Sequence, residues 1–165
     1  MNIVNNTMYN RDLILRYNKF YSRSYMVKNF IIITIISLGF SIYMAFQKEW
    51  GYAGILLGIL VLYYILTLGM QKMTTARMLK RSPLVENPLL QTYVFTTDNF
   101  TVTNVKTYEV RYEEVQVVKT APDFYMIQTK DRKTYLVDFN GFENEDDKLT
   151  LQDFFITKFN IKAKK

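Results

Sequence analysis

The chain has 165 residues with no cysteine and no histidine, and its formal net charge is +6. That composition excludes disulfides, Cys/His zinc sites, cysteine nucleophiles and Ser-His-Asp triads. Residues 1–83 carry ten basic and two acidic side chains (net +8), and residues 84–165 carry eleven and thirteen (net −2), so the C-terminal part lacks the positive excess that nucleic acid or an inositol-phosphate headgroup would call for.

Residues 1–28 do not read as a cleaved signal peptide, because the polar lead is long and no small-residue cleavage site follows the apolar run. Asn10 is placed to cap a helix starting at Arg11. Leu13, Tyr17, Phe20, Tyr21 and Ser24 fall at helical spacing, with Arg11, Arg16, Lys19, Arg23 and Lys28 mostly off that face. This predicts a cytoplasmic, interfacial amphipathic segment.

Two uncharged stretches follow, Asn29 to Gln47 with 19 residues and Trp50 to Gln71 with 22, separated by Lys48 and Glu49. As helices they are about 28 and 33 Å long, against a hydrocarbon core of about 30 Å. Each Leu, Ile, Phe or Val favours insertion by about 0.3–0.6 kcal/mol, and neither stretch bears the central charge that would oppose it. Neither shows a polar face at 3.6-residue spacing. The expectation is a hairpin of transmembrane helices, 29–47 and 50–71, with an external turn at 48–49.

Lys72, Arg77, Lys80 and Arg81 after the second stretch match Arg11, Arg16, Lys19, Arg23 and Lys28 before the first. The positive-inside rule then gives a multi-pass inner-membrane protein with both termini cytoplasmic, and Trp50, Tyr52 and Tyr43 at the outer interface. Ser37 with Ser41, and Gly54 with Gly58, form small-xxx-small pairs that let helices approach closely, within the hairpin or between two copies. With only Thr34, Ser37, Ser41 and Thr67 as inner polar groups, the hairpin lacks the ionisable residues of a transporter.

Residues 72–88 read as a juxtamembrane helix and linker, the helix ended by Pro83 and the connector kept extended by Pro88. From Leu89 the period becomes two. Six short runs rich in Val, Thr, Tyr and Phe, ending with Phe124–Thr129 and Thr134–Asp138, predict an antiparallel meander with one wet face. Turns are expected at 97–99, 121–123, 130–133 and Asn140–Gly141. Glu143, Glu145, Asp146 and Asp147 precede a helix from about Asp147 to Phe159, where acids suit the helix dipole. They lack the spacing and central Gly of an EF-hand, so no metal is expected. Leu151, Phe154, Phe155 and Phe159 form that helix's apolar stripe.

The order of parts resembles the YcxB-like family of small bacterial membrane proteins. The resemblance rests on the connector Lys80-Arg81-Ser82-Pro83 to Asn87-Pro88 and on the stretch from Tyr93-Val94-Phe95 to Asn99-Phe100. It continues through Tyr112-Glu113-Glu114-Val115 and Asp123-Phe124-Tyr125-Met126. Tyr112 stands where a Trp is expected, and Asn99 where a turn Gly is commoner. The resemblance implies, for residues 89–165, a cytoplasmic pleckstrin-homology-like α+β domain: an antiparallel sheet or partial barrel closed by the C-terminal helix. It implies no catalytic residues and no cofactor.

Glu113 and Glu114 are adjacent, so on a strand they point to opposite faces and cannot share a substrate. Without His or Cys the acid–base repertoire is poor. The expected function is a non-enzymatic, membrane-anchored interaction module binding a protein partner or a second copy, with Phe124 and Phe139 as outward contact points. The alternative is an accessory or immunity-type subunit of a larger membrane complex, acting through the hairpin.

Overall fold

The computed structural model describes residues 1–161, with Ser24 described by its backbone alone. The side chain of Ser24, on the predicted interfacial face, therefore lies outside the described set. The chain forms two compact units: residues 1–13 together with 83–165, and residues 14–82.

The first unit holds seven strands: β1 (Ile3–Tyr9), β2 (Leu89–Phe95), β3 (Asn99–Thr103), β4 (Thr107–Arg111), β5 (Val115–Thr120), β6 (Phe124–Thr129) and β7 (Thr134–Asp138). They form two antiparallel sheets, ordered β1-β2-β3-β4 and β5-β6-β7. The single meander expected from alternation, and the pleckstrin-homology-like partial barrel implied by the resemblance, are thus incorrect: the sheets are open and separate. The break has a local cause. After Arg111 the chain makes a 3-10 turn over Tyr112–Glu114, and the Tyr112 ring turns inward, 3 % exposed, its hydroxyl donating to the Thr96 carbonyl at 3.0 Å. The ladder cannot run on through that turn, so β5 starts a new sheet.

The first sheet also contains a strand the sequence reading did not identify. Ile3, Asn5 and Thr7 are buried and alternate with more exposed residues along β1, which pairs antiparallel with β2, from Ile3 opposite Phe95 to Tyr9 opposite Leu89. Because Asn5 and Thr7 are polar, period two in hydrophobicity did not show there.

Tyr93, Phe95, Phe100 and Val102 of the first sheet pack with Val118, Tyr125, Ile127 and Val137 of the second in one core. Helix α4 (Glu145–Phe159) covers the junction. Its fully buried Phe155 stands edge-on to Phe95 at 6.0 Å and to Tyr125 at 5.3 Å, one ring from each sheet. Asn144 caps α4 by accepting from the Asp147 amide at 2.8 Å, so the helix begins two residues earlier than its acids suggested. Asn160 ends it in the left-handed conformation, φ 49°, a role open to Asn. Pro83 opens a four-residue helix, α3 (Pro83–Glu86), where an extended linker was expected; proline fits a first helical turn.

The second unit is a helix pair. Helix α1 runs unbroken from Arg11 to Phe46 and α2 from Trp50 to Arg81, and both are long and apolar enough to cross a membrane. The Leu13 amide donates to Asn10 Oδ1 at 3.0 Å, which fixes the start of α1. At its end the Glu49 amide reaches the Met44 carbonyl at 2.9 Å and the Lys48 amide reaches Ala45 at 3.0 Å, with Lys48 at φ 64°. That is a Schellman-type stop.

Candidate functional site

β1 is held to the second sheet by side chains. Asn5, Thr7 and Tyr9 alternate onto one face and meet the outer edge of β7. The Asp138 amide donates to Thr7 Oγ1 at 2.9 Å, Thr7 Oγ1 donates to Asn5 Oδ1 at 2.6 Å, and Asn5 Nδ2 donates to the Asp138 carbonyl at 2.8 Å. The Leu136 amide donates to the Tyr9 hydroxyl at 2.7 Å, which also lies 2.9 Å from the Tyr93 hydroxyl. Burial, then the Tyr9 hydroxyl, pushes Tyr93 well above the usual phenol range. These bonds satisfy edge groups that would otherwise be buried unpaired.

Away from this seam the sheets diverge. A cleft of about 330 Å³ opens between them, lined by Gln91, Tyr108, Glu114, Asp131, Lys133 and Tyr135 among others. Gln91 is 8 % exposed, and Tyr108 is 52 % exposed at the rim. Lys133 pairs with Asp131 at 2.7 Å, and Thr129 Oγ1 also donates to that carboxylate. These bonds, Lys133 first, hold Asp131 down to about 2. Burial pushes the Tyr135 phenol up. A second hollow of about 460 Å³ is lined by Asp98, Glu109, Arg111, Glu113 and Lys158, with the Lys158 ammonium 4.5 Å from the Tyr112 ring centre. Both offer hydrogen bonds and charge to a polar ligand. Neither joins a nucleophile to a base, and among the described residues no three acidic side chains form a metal-sized cluster. Of the cleft residues the sequence singled out Glu114 alone, paired with Glu113 on an expected strand; both instead lie in the 3-10 turn, Glu114 lining the cleft and Glu113 the second hollow, while Lys130–Lys133 read only as a polar turn.

Phe124 is fully buried, so its expected role as an outward contact is incorrect. The alternation argument assumed one wet face, whereas β6 is the middle strand of its sheet and buried along nearly all its length. Phe139 is half-buried. Its ring meets Tyr125 edge-on at 4.7 Å and carries the Lys148 ammonium at 5.1 Å.

In the helix pair, Ser41 is buried and Ser37 half-buried on the facing side. Opposite them α2 buries Ala53 and Leu60. Gly54 and Gly58 are exposed, and a Cβ at either would meet nothing within 4 Å. They therefore do not line the hairpin contact, so the expectation that the Gly54–Gly58 pair brings the helices together within the hairpin is incorrect. The helices meet through Thr34 with Tyr64, through Phe30 packed on the Tyr64 ring at 4.5 Å, and through Asn18 Nδ2 donating to Thr75 Oγ1 at 2.6 Å. Trp50, Tyr52 and Tyr43 are exposed near the turn. Lys19, Arg23 and Lys28 on α1, and Lys72, Arg77, Lys80 and Arg81 on α2, are exposed towards the other end; Arg11 is exposed and Arg16 half-buried.

A family model described as YcxB-like protein matches residues 95–155, from the end of β2 into α4. No curated protein and no solved structure matches the chain.

Proposed function

We propose that the protein is a membrane-anchored, non-enzymatic interaction module of YcxB-like type, in which the helix pair tethers the two-sheet unit and that unit binds a protein partner. The observation that carries the reading is uncovered apolar surface. Ile35 is 65 % exposed, Phe40 58 % and Ile65 63 %, on helices with no charged residue between Asn29 and Gln47 or between Trp50 and Gln71. Burying each such side chain is worth about 1.5–3 kcal/mol, and a continuous apolar surface of this size marks a membrane or partner site. Lipid supplies that burial. With the basic flanks inside, both termini face the cytoplasm, and the polar cleft between the sheets is the recognition surface.

The test is fractionation of the full chain followed by carbonate extraction. Retention in the membrane pellet is the expected result; a product that stays monomeric in the supernatant without detergent overturns the anchor. A C-terminal reporter active only on the outer face overturns the orientation.

The open glycines favour a second reading, an accessory subunit working through its helices. Gly51, Gly54 and Gly58 lie three and four residues apart on α2 with no neighbour at the Cβ position, as a helix–helix contact in lipid requires. Replacing Gly54 and Gly58 with Leu should abolish association in a membrane self-association assay; unchanged association removes this reading.

A further inference from the structure

We propose that the end of the helix pair away from its turn holds an anionic glycerophospholipid, in a groove between α1 and α2. This rests on the membrane reading above. The groove has a volume of about 330 Å³ and is lined by Asn18, Tyr21, Tyr25, Thr67, Gln71 and Thr74 among others. It follows α1 over positions 18–26 and α2 over positions 67–75, a length of about 12 Å. On α2 those positions straddle Gln71, where the second uncharged stretch ends, and on α1 they stop three residues short of Asn29, where the first begins, so the groove sits at headgroup depth. Met26 and Met70 add apolar, adaptable walls, with Met70 exposed at the rim. The Gln71 amide and the Thr74 hydroxyl supply donors to glycerol and ester oxygens, whereas the Thr67 and Ser22 hydroxyls donate to the Tyr63 carbonyl and Asn18 Oδ1.

Charge selects the occupant. Residues 14–82 contain nine basic side chains and one acidic one, Glu49, which lies at the turn. Eight of the nine bases, all but Lys48, lie towards the groove end. Lys19, Arg23, Lys28, Lys72 and Arg77 are exposed at that end, and between Ile14 and Ser82 the one carboxylate, Glu49, stands at the opposite end beside the turn. A phosphodiester supplies counter-charge to these bases, and its acyl chain lies against Met26 and Met70. Basic pockets between membrane helices recognise anionic headgroups in this way.

The experiment uses the full chain in nanodiscs of phosphatidylglycerol or phosphatidylcholine, with lipid retained after detergent transfer counted by native mass spectrometry. Phosphatidylglycerol should be retained about fivefold or more over phosphatidylcholine, since each Lys or Arg near an anionic surface contributes about 1 kcal/mol. Thr74→Trp, which fills the groove, and the double variant Arg23→Gln/Arg77→Gln should lose the preference, whereas Lys48→Gln at the turn should keep it. Equal retention of the two lipids overturns the proposal, as does a preference that survives Thr74→Trp. A change in oligomeric state with Thr74→Trp, at unchanged lipid retention, would make the groove a self-association face and also overturn it. Carbonate extraction separates the two readings: a chain that stays in the membrane without lipid preference sinks the lipid site alone, and a chain released by carbonate sinks both.

Discussion

Three residues show how closely the two-sheet unit is fitted. Gly141 lies in the 3-10 turn after β7 with an ordinary φ, so left-handed freedom is not its reason. A Cβ there would stand 2.6 Å from the Asn6 carbonyl oxygen and 2.8 Å from Asn5 Oδ1. Gly141→Ala should therefore push β1 off β7 and cost about 1–3 kcal/mol, as overpacking does, seen as faster hydrogen exchange at the Asp138 amide. Tyr125 makes the opposite case. Its hydroxyl is buried with no partner among the described residues, so Tyr125→Phe should stabilise the unit by about 1 kcal/mol. Burial, with smaller effects from Asp153 and Glu145, pushes this phenol up to about 12. A raised folded value means its contribution is complete below the unfolded pKa near 10 and is lost as pH rises through about 12. Urea midpoints of the full chain in detergent at pH 8 and pH 11 should fall with pH, and less steeply in Tyr125→Phe. Phe124, next to it, shows where sequence reading fails at this scale: whether a strand residue points to water depends on what covers the sheet, which period two does not encode.

Among the elements, those with apolar period were legible and those built on polar contacts were not. Six strands and α4 stand near their expected positions because Val, Tyr and Phe alternate, or recur at 3.6, in those stretches. The division into two sheets was not legible, since it depends on the inward turn of Tyr112, a residue that alternates like its neighbours. β1 was missed for a related reason: beyond Ile3 its buried face is Asn5 and Thr7, whose value lies in hydrogen bonds to Asp138, 133 and 131 residues away in sequence. The cleft was invisible too, because Gln91, Tyr108, Asp131 and Tyr135 come from four separate segments. The polar seam makes its own prediction. Thr7→Val keeps the shape and removes the acceptor of the Asp138 amide, leaving a buried donor unpaired at about 1–3 kcal/mol. Thr7→Ser keeps the hydroxyl and should recover most of the loss. Equal urea midpoints for Thr7→Val and the parent chain would show that the bond contributes nothing.

At the scale of the whole molecule, the helix pair is an insertion into the sheet unit. Tyr9 and Leu89 are cross-strand partners in the β1–β2 ladder, yet the chain leaves at one and returns at the other only after both long helices. The folding of the sheet unit therefore needs the residues before the helices as much as those after them. Residues 84–165 alone would expose the edge of β2, the Asp138 and Leu136 amides and the buried Tyr93 ring, and such an open edge favours aggregation. They should express as aggregate. A chain in which residues 11–87 are replaced by a short Asn-Gly hairpin turn restores the ladder, because two-residue loops of this type match strand twist. It also removes the uncovered apolar helices, so it should be a soluble monomer with β1 amides protected from exchange. If 84–165 alone proves equally soluble and protected, β1 is dispensable. If the spliced chain still partitions into membranes, the helices are not the anchor, because it lacks them both.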